Sequence, residues 1–340
     1  VIYGENAQGK TNLLESVYML AMGRSFRTRF DRELIGFGCD SAEILADVVS
    51  HEREQTVRIL LRSGVRKQIT VNSVKKTASE LGETLNVVLF CPDDLNLIKE
   101  GAAARRRLMD NAISQIRPRY AEYLSQFNKF YESKTRILKD WREKPSLLDT
   151  LDEFSDGMCR TSAQLIRYRA SFAARLADEA APIHSEFSGA DEKLGIEYST
   201  VSAVKDPTAS AKEIFYDLCD HMEAHRRAEL DSGQCLSGAH KDDLIISING
   251  KNARSFASQG QTRTAALSIK LAEREIYLDE TGEYPILLLD DVLSELDTKR
   301  QEFVLNRIGG GQTLITCCED EGISVSYTHL RAHETGRNLV

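Results

Sequence analysis

Eight residues near the start of the chain, Gly4-Glu5-Asn6-Ala7-Gln8-Gly9-Lys10-Thr11, fit the pattern G-x-x-x-x-G-K-[ST]. No other feature constrains the fold as much, because this pattern works only between a buried strand and a helix. Val1-Ile2-Tyr3 reads as the end of such a strand. Leu13, Leu14, Val17, Tyr18 and Ala21 recur at helical spacing up to Gly23, so the loop opens an amphipathic helix. Gly4 and Gly9 permit φ > 0, which turns successive backbone N–H groups inward as an anion nest. The helix N-terminus adds partial positive charge. Lys10 is placed to reach β- and γ-phosphates, and the Thr11 hydroxyl to ligate Mg²⁺. With both flanking elements present, the stretch reads as an ATP site rather than a chance glycine-rich turn. Gly4 through Asn12 are its expected nucleotide contacts.

The other half of such a site lies far along the chain. In PILLLDDVLSELD a run of apolar residues precedes Asp290 and Asp291. Asp290 is expected at the C-terminal end of a buried strand, where α/β sheets bind ligands, and suits Mg²⁺ coordination. Asp291 suits polarising the water that attacks a γ-phosphate, which makes Lys10, Asp290 and Asp291 the catalytic candidates. A third element, Ser258-Gln259-Gly260-Gln261, opens a helix spanning about 259–279. Its serine is expected as N-cap, and the turn offers a second anion site. Alone it reads as an ordinary capped helix; some 30 residues before paired carboxylates, it reads as part of the nucleotide machinery.

The order P-loop, Ser-x-Gly-Gln, paired carboxylates is that of ATP-binding-cassette heads, in which Ser-x-Gly-Gln is the signature motif and contacts the γ-phosphate held by a second subunit. Ser294-Glu295-Leu296-Asp297 resembles the D-loop that follows the second carboxylate. Taken together, GENAQGKTNLLES, MGRSFRT, LFCPDDLNLIKEG with ARRRLMD, GAHKDDL, FASQGQTRTAALSIKLAE and LLLDDVLSELD resemble the RecF family of bacterial recombination mediators, from residue 1 to about 316. The resemblance implies an α/β fold: a P-loop cassette-type ATPase head, built from a mixed sheet and an antiparallel meander, with an inserted helical arm. It further implies ATP and Mg²⁺ as cofactors, ATP-driven homodimerisation, and binding to double-stranded DNA and single-strand/double-strand junctions. RecO, RecR and RecA are the implied partners, and the cytoplasm, in recombinational repair, replication and the SOS response, the implied setting. Cassette transporters carry Glu where Asp291 stands; one methylene less predicts slow turnover by a switch. Asp93 and Asp94 stand where transporter heads carry a Gln that touches Mg²⁺, and that contact stays open.

The coarse organisation agrees with this. EILADVV, TVRILLR and KQITVNSV alternate as strands of a meander, with turns at Gly64 and Asn72-Ser73; VVLF at 87–90 is a short buried strand ended by Cys91-Pro92-Asp93-Asp94. Helical spacing then dominates from Ala102, with one run to about Trp141, a second over about 151–181 and a third over about 210–230, punctuated by Pro145 and Pro182. Strands are expected again at 194–199, 244–250, PILLLDD and TLITC, with a helix over about 297–307. The expected division is head lobe 1–102 with the P-loop, helical arm 103–230, head continuation 231–324 with the signature and second carboxylate motifs, and a foreign, adapter-like tail at 325–340. The strands preceding the P-loop are expected to be missing.

The net charge of −8 means that any DNA site must be a local patch. Arg24, Arg27, Arg29 and Arg32 form one candidate cluster, and Arg105, Arg106 and Arg107 another; Lys241 is a weaker candidate. A third cluster, Lys134, Arg136, Lys139, Arg142 and Lys144, is interleaved with Glu132, Asp140 and Glu143 and reads as a solvated face. His221, Glu223 and His225 have metal-capable spacing but no third ligand nearby, so a solvated helix face is expected there too. Seven cysteines show no C-x-x-C pair and read as reduced thiols. No run approaches the ~20 apolar residues of a membrane span, and no secretory leader is expected. The rival reading is another soluble cassette head, either an SMC-like chromosome organiser or an enzyme energising nuclease or transport work. Transport work requires a membrane-docking element and nuclease work a second acidic metal cluster, and the sequence offers neither; the SMC-like alternative stays open.

Overall fold

The computed structural model describes residues 1–5 and 7–317. Asn6 and the expected tail at 325–340 lie outside the described residues. In chain order the elements are β1 (Ile2–Tyr3), α1 (Lys10–Met22), β2 (Ser41–Ser50), β3 (Arg53–Arg62), β4 (Val65–Val71), β5 (Val74–Lys76), β6 (Val87–Phe90), α2 (Ala102–Ile116), α3 (Pro118–Asp140), α4 (Leu151–Ser188), β7 (Leu194–Ser199), α5 (Ala211–Ala224), α6 (Arg226–Ser232), β8 (Asp243–Ile248), β9 (Lys251–Asn252), α7 (Ala253–Phe256), α8 (Gln259–Thr281), β10 (Ile286–Asp290), α9 (Thr298–Arg307) and β11 (Thr313–Cys317). They fall into two compact units, one formed by Val1–Asn96 with the segment from Gln259 onward, the other by Leu97–Ser258.

The first unit holds a parallel sheet in the order β1-β11-β10-β6 and an antiparallel meander β2-β3-β4-β5. β6 and β10 are near-continuous apolar runs, as strands covered on both faces must be. β2 instead alternates between half-buried and exposed, as a strand with one wet face does. Between the two sheets runs α1. Leu14, Tyr18 and Met19 join Val57, Ile59 and Leu61 of the meander and Val87 and Leu288 of the parallel sheet in one core. The helix is therefore buried nearly all round in its second half. Leu13, expected on the inner face, is instead exposed, whereas Leu20 and Met22 are buried. Gly23 ends α1 in the left-handed conformation, and a Cβ there would lie 2.6 Å from that of Ala78. The turn His51-Glu52 has positive φ at both residues, the geometry of a two-residue hairpin, without any glycine to announce it.

The second unit is mostly helical and carries the antiparallel sheet β7-β8-β9. The first helical run breaks at Pro118, which starts α3 and cannot continue α2. α4, by contrast, passes through Pro182 to Ser188. The missing N–H costs about 3 kcal/mol, but the buried stripe of Ala180, Ile183 and Phe187 continues on both sides of it. None of the helices among the described residues is long and apolar enough to cross a membrane.

His240 links this packing to pH. Its Nε2 faces the Cys235 carbonyl at 2.9 Å, its ring leans on Tyr131 at 4.7 Å, and its Nδ1 is buried without a partner among the described residues. A second proton would sit on that unpartnered nitrogen, so burial pushes the imidazole down to about 4. The folded state thus binds fewer protons than the unfolded chain. Stability is complete above the ordinary histidine value of about 6.5 and drains away as pH falls from there towards 4, by on the order of 2 kcal/mol at pH 5. Urea titrations at pH 7.5 and 5, followed through the single tryptophan, Trp141, should show this loss, and His240→Asn should flatten it. Equal pH dependence in both proteins would refute the assignment.

Candidate nucleotide site

The loop from Gly4 to Gly9 connects β1 to α1 and is open to solvent at Glu5, Ala7, Gln8 and Gly9. Gly9 is the N-cap of α1 with φ 82°, and Ala7 is also left-handed at φ 65°. A Cβ at Gly9 would meet no atom within 4 Å, so conformation rather than crowding calls for glycine. The Lys10 ammonium donates to the carbonyls of Gly4 at 2.6 Å and Glu5 at 2.9 Å, closing the loop over its own backbone. Asn12 accepts from Arg27 Nη1 at 2.9 Å.

Thr11, at the start of α1, donates from Oγ1 to Asp290 Oδ1 at 3.0 Å, joining residues 279 positions apart. Asp290 ends β10 and is nearly buried. The hydroxyl of Thr316 in β11 donates to the same oxygen at 2.9 Å and accepts the Asp291 N–H at 2.9 Å. Asp291 is left-handed at φ 51°, and its Oδ1 is buried without a hydrogen-bond partner among the described residues. Left-handed backbone and buried polar atoms with no partner among the described residues are features that cluster at active sites. The donors fit Mg²⁺ and a triphosphate: a hydroxyl and a carboxylate at the metal position, an ammonium beside the loop, and an oxygen with no partner among the described residues.

The signature stretch sits where α8 begins. Ser258 and Gln259 are exposed, and Gly260 and Gln261 are half-buried. This turn is tied to α9 and to the stretch that follows Asp291. Arg300, in α9, donates from Nη2 to the Gly260 carbonyl and to Thr264 Oγ1, both at 3.0 Å. Arg263 donates to the Glu295 carbonyl at 2.7 Å, and Ser294 donates to the Asp291 carbonyl at 2.6 Å. Arg263, Arg300 and Thr316 do not figure among the sequence-based candidates, because their partners lie 25 to 40 positions away. Asp94 folds back on the Cys91 N–H at 2.9 Å, while Asp93 is exposed.

The basic clusters separate by burial. Arg24, Arg27, Arg29 and Arg32 are all exposed. Arg27 also reaches Glu15, at 3.5 Å, so this loop is wired to the helix behind the phosphate loop. Arg105 is a different case. It is 4% exposed, grips Asp243 with Nε and Nη2 at 2.6 and 2.9 Å, and donates to the carbonyls of Leu97 and Glu100. Its donors are consumed inside the helical unit, which removes it from the DNA candidates. Arg106 is half-buried on the Asp242 carbonyl at 2.8 Å; Arg107 and Lys241 are exposed. In the cluster read as a solvated face, Lys134 is the exception, fully buried 2.6 Å from Glu229. His221 and His225 stack at 4.0 Å, and no group of three potential ligands among the described residues forms a metal site.

Comparison with known proteins places this geometry. The family model for the RecF/RecN/SMC N-terminal domain matches residues 1–335. The DNA replication and repair protein RecF of Acetivibrio thermocellus is 39% identical over 323 residues, covering 94% of this chain and 87% of that protein. Its counterpart in Listeria welshimeri is 42% identical over 333 residues, covering 95% and 87%. Among solved structures, the recombination mediator RecF–ATPrS of the RecFOR pathway superposes with a TM-score of 0.88 at 35% identity, over 94% of this chain and 86% of that one. The RecF–ATP structure gives 0.86 at 35% identity, over 95% and 86%. The α/β cassette-type fold expected from the motifs is the fold observed, and the chain belongs to the RecF family of DNA replication and repair proteins.

Proposed function

We propose that this chain is an ATP-gated DNA-binding switch acting in DNA repair and replication. The observation that carries this is the Thr11–Asp290 contact, which brings phosphate loop and acidic strand end together in a chain similar to RecF–ATP structures. Lys10 and the loop N–H groups bind the triphosphate of ATP. Thr11 and Asp290 are the residues that would hold Mg²⁺, which would supply charge neutralisation at the phosphates. Asp291 takes a proton from the attacking water. Two copies sandwich two ATP, the P-loop of one facing Ser258–Gln261 of the other. Closure aligns Arg24, Arg27, Arg29 and Arg32 of both copies on duplex DNA near single-strand junctions; Arg107 is a separate candidate contact of the helical unit. Slow hydrolysis releases it. The helical unit fixes dimer geometry; RecO and RecR are the partners that the RecFOR pathway of the solved relatives suggests, RecA the one that the family resemblance implies, and the cytoplasm the setting.

Anisotropy of labelled duplex, titrated with protein at two salt concentrations with and without a slowly hydrolysed ATP analogue, tests this. Binding should tighten with nucleotide and weaken with salt, by about 0.9 in the log–log slope per phosphate contact. Ser258→Arg should abolish nucleotide-driven dimerisation and DNA binding while sparing nucleotide binding by the monomer. Dimerisation intact in that variant would sink the sandwich; DNA binding indifferent to nucleotide would sink the switch.

A further inference from the structure

β11 is a buried parallel strand, and valine would suit position 316 as well as threonine on packing alone. Thr316 is 1% exposed, so its hydroxyl must be satisfied inside the protein. It is satisfied entirely by the acidic pair and its strand. It donates to Asp290 Oδ1 at 2.9 Å, accepts the Asp291 N–H at 2.9 Å, and lies 3.4 Å from the Leu289 carbonyl. A hydroxyl carries one proton. With the Asp291 N–H occupying a lone pair, that proton goes to the shorter and charged acceptor, Asp290.

We infer that Thr316 is a positioning residue for ATP turnover, holding the Asp290 carboxylate with one side of its hydroxyl and the strained Asp291 backbone with the other. The inference rests on the proposed ATPase reading. Asp291 at φ 51° stands in a conformation that costs a non-glycine residue about 1–2 kcal/mol. Two bonds hold it there, its N–H to Thr316 and its carbonyl accepting from Ser294 at 2.6 Å. Only the first also touches Asp290. Asp290 Oδ1 in turn receives two hydroxyls, Thr11 from α1 and Thr316 from β11, so it is clamped between the phosphate-loop helix and the neighbouring strand. Thr316 therefore ties the Asp290 carboxylate to the Asp291 backbone. Losing its hydroxyl loosens both at once, leaving Asp290 to Thr11 and Asp291 to Ser294, and the Asp291 carboxylate loses its aim.

Thr316→Val keeps the branched shape and the pairing of β11 with β1 and β10, and deletes only the hydroxyl. Phosphate release at saturating ATP should fall about ten- to a hundredfold, the cost of an ångström-scale misplacement. The Kd for a fluorescent ATP analogue should stay within about twofold, because Lys10 and the loop are untouched. Thr316→Ser restores the hydroxyl and should restore turnover. Wild-type turnover in Thr316→Val overturns the inference, and so does an equal loss in both variants, which marks a packing role. A wild-type protein that binds ATP and never turns it over removes the ATPase reading itself, and this inference with it.

Discussion

Asp291→Asn should cut ATP turnover by about 10²- to 10⁴-fold, the range typical of losing a positioned general base, and should leave ATP affinity within a few fold. The substitution isolates the charge. Asparagine has the same shape, and it tolerates the left-handed backbone better than most residues, so the φ of 51° survives. The N–H to Thr316 and the carbonyl accepting from Ser294 involve backbone atoms and survive too. What disappears is the buried Oδ1 as a proton acceptor, the oxygen left without a hydrogen-bond partner among the described residues. Single-turnover phosphate release, with analogue Kd measured alongside, separates chemistry from binding. An Asn variant that turns over at the wild-type rate would remove Asp291 from the chemistry and leave Asp290 as the sole acidic participant. Expected losses in Asp291→Asn exceed those in Thr316→Val because the first deletes the base and the second only loosens it.

What the sequence made legible divides by range. The phosphate loop and the Asp290-Asp291 pair announce themselves because their chemistry is local. Glycines, a lysine and a hydroxyl must sit at fixed spacing, and a carboxylate must follow a buried strand. Arg105 shows where a local reading misleads. Three consecutive arginines look like a phosphate-binding patch, yet Leu108, Met109, Ala112 and Ile113 put Arg105 on the inner face of α2. Lys134 repeats the lesson, standing three and four positions from Ile137 and Leu138 on the buried stripe of α3. In both cases helical periodicity is the available signal. The identity of the partner is not, since Asp243 lies 138 positions after Arg105 and Glu229 lies 95 after Lys134. Thr316 was illegible for a related reason: one threonine among Leu314 and Ile315 is an unremarkable strand residue until the fold sets it beside Asp290. Pro182 reads as a stop because its local cost is real, and α4 overrides it with packing that only the fold supplies.

Arg169→Ala should destabilise the helical unit by about 3–5 kcal/mol, the cost of stripping one partner from a buried ion network. Arg169 is 2% exposed. Its Nη1 donates to Asp242 Oδ2 at 2.6 Å and the Ala239 carbonyl at 2.7 Å. Its Nη2 donates to Asp110 Oδ1 at 2.8 Å and its Nε to the Tyr120 hydroxyl at 2.9 Å. Asp242 is fully buried, with Thr200 as its second donor at 2.6 Å. Burial pushes the Asp242 carboxyl up, and Arg169 is the foremost influence holding it down. Without Arg169 the carboxylate must stay charged in an apolar site or take up a proton. The folded variant then binds more protons than the unfolded chain, so its stability should rise as pH falls, and its deficit against wild type should shrink between pH 7 and pH 5. Trp141 belongs to the same unit, donating from Nε1 to the Leu230 carbonyl at 3.2 Å, so its fluorescence during urea unfolding reads the relevant transition even if the two units melt separately. The double variant Arg169→Met/Asp242→Asn removes both charges and should lose less than the sum of the two single changes. Strict additivity, or a deficit in Arg169→Ala that is the same at both pH values, would mean that Arg169 acts as a spacer among the helices rather than as the counter-charge that lets Asp242 be buried.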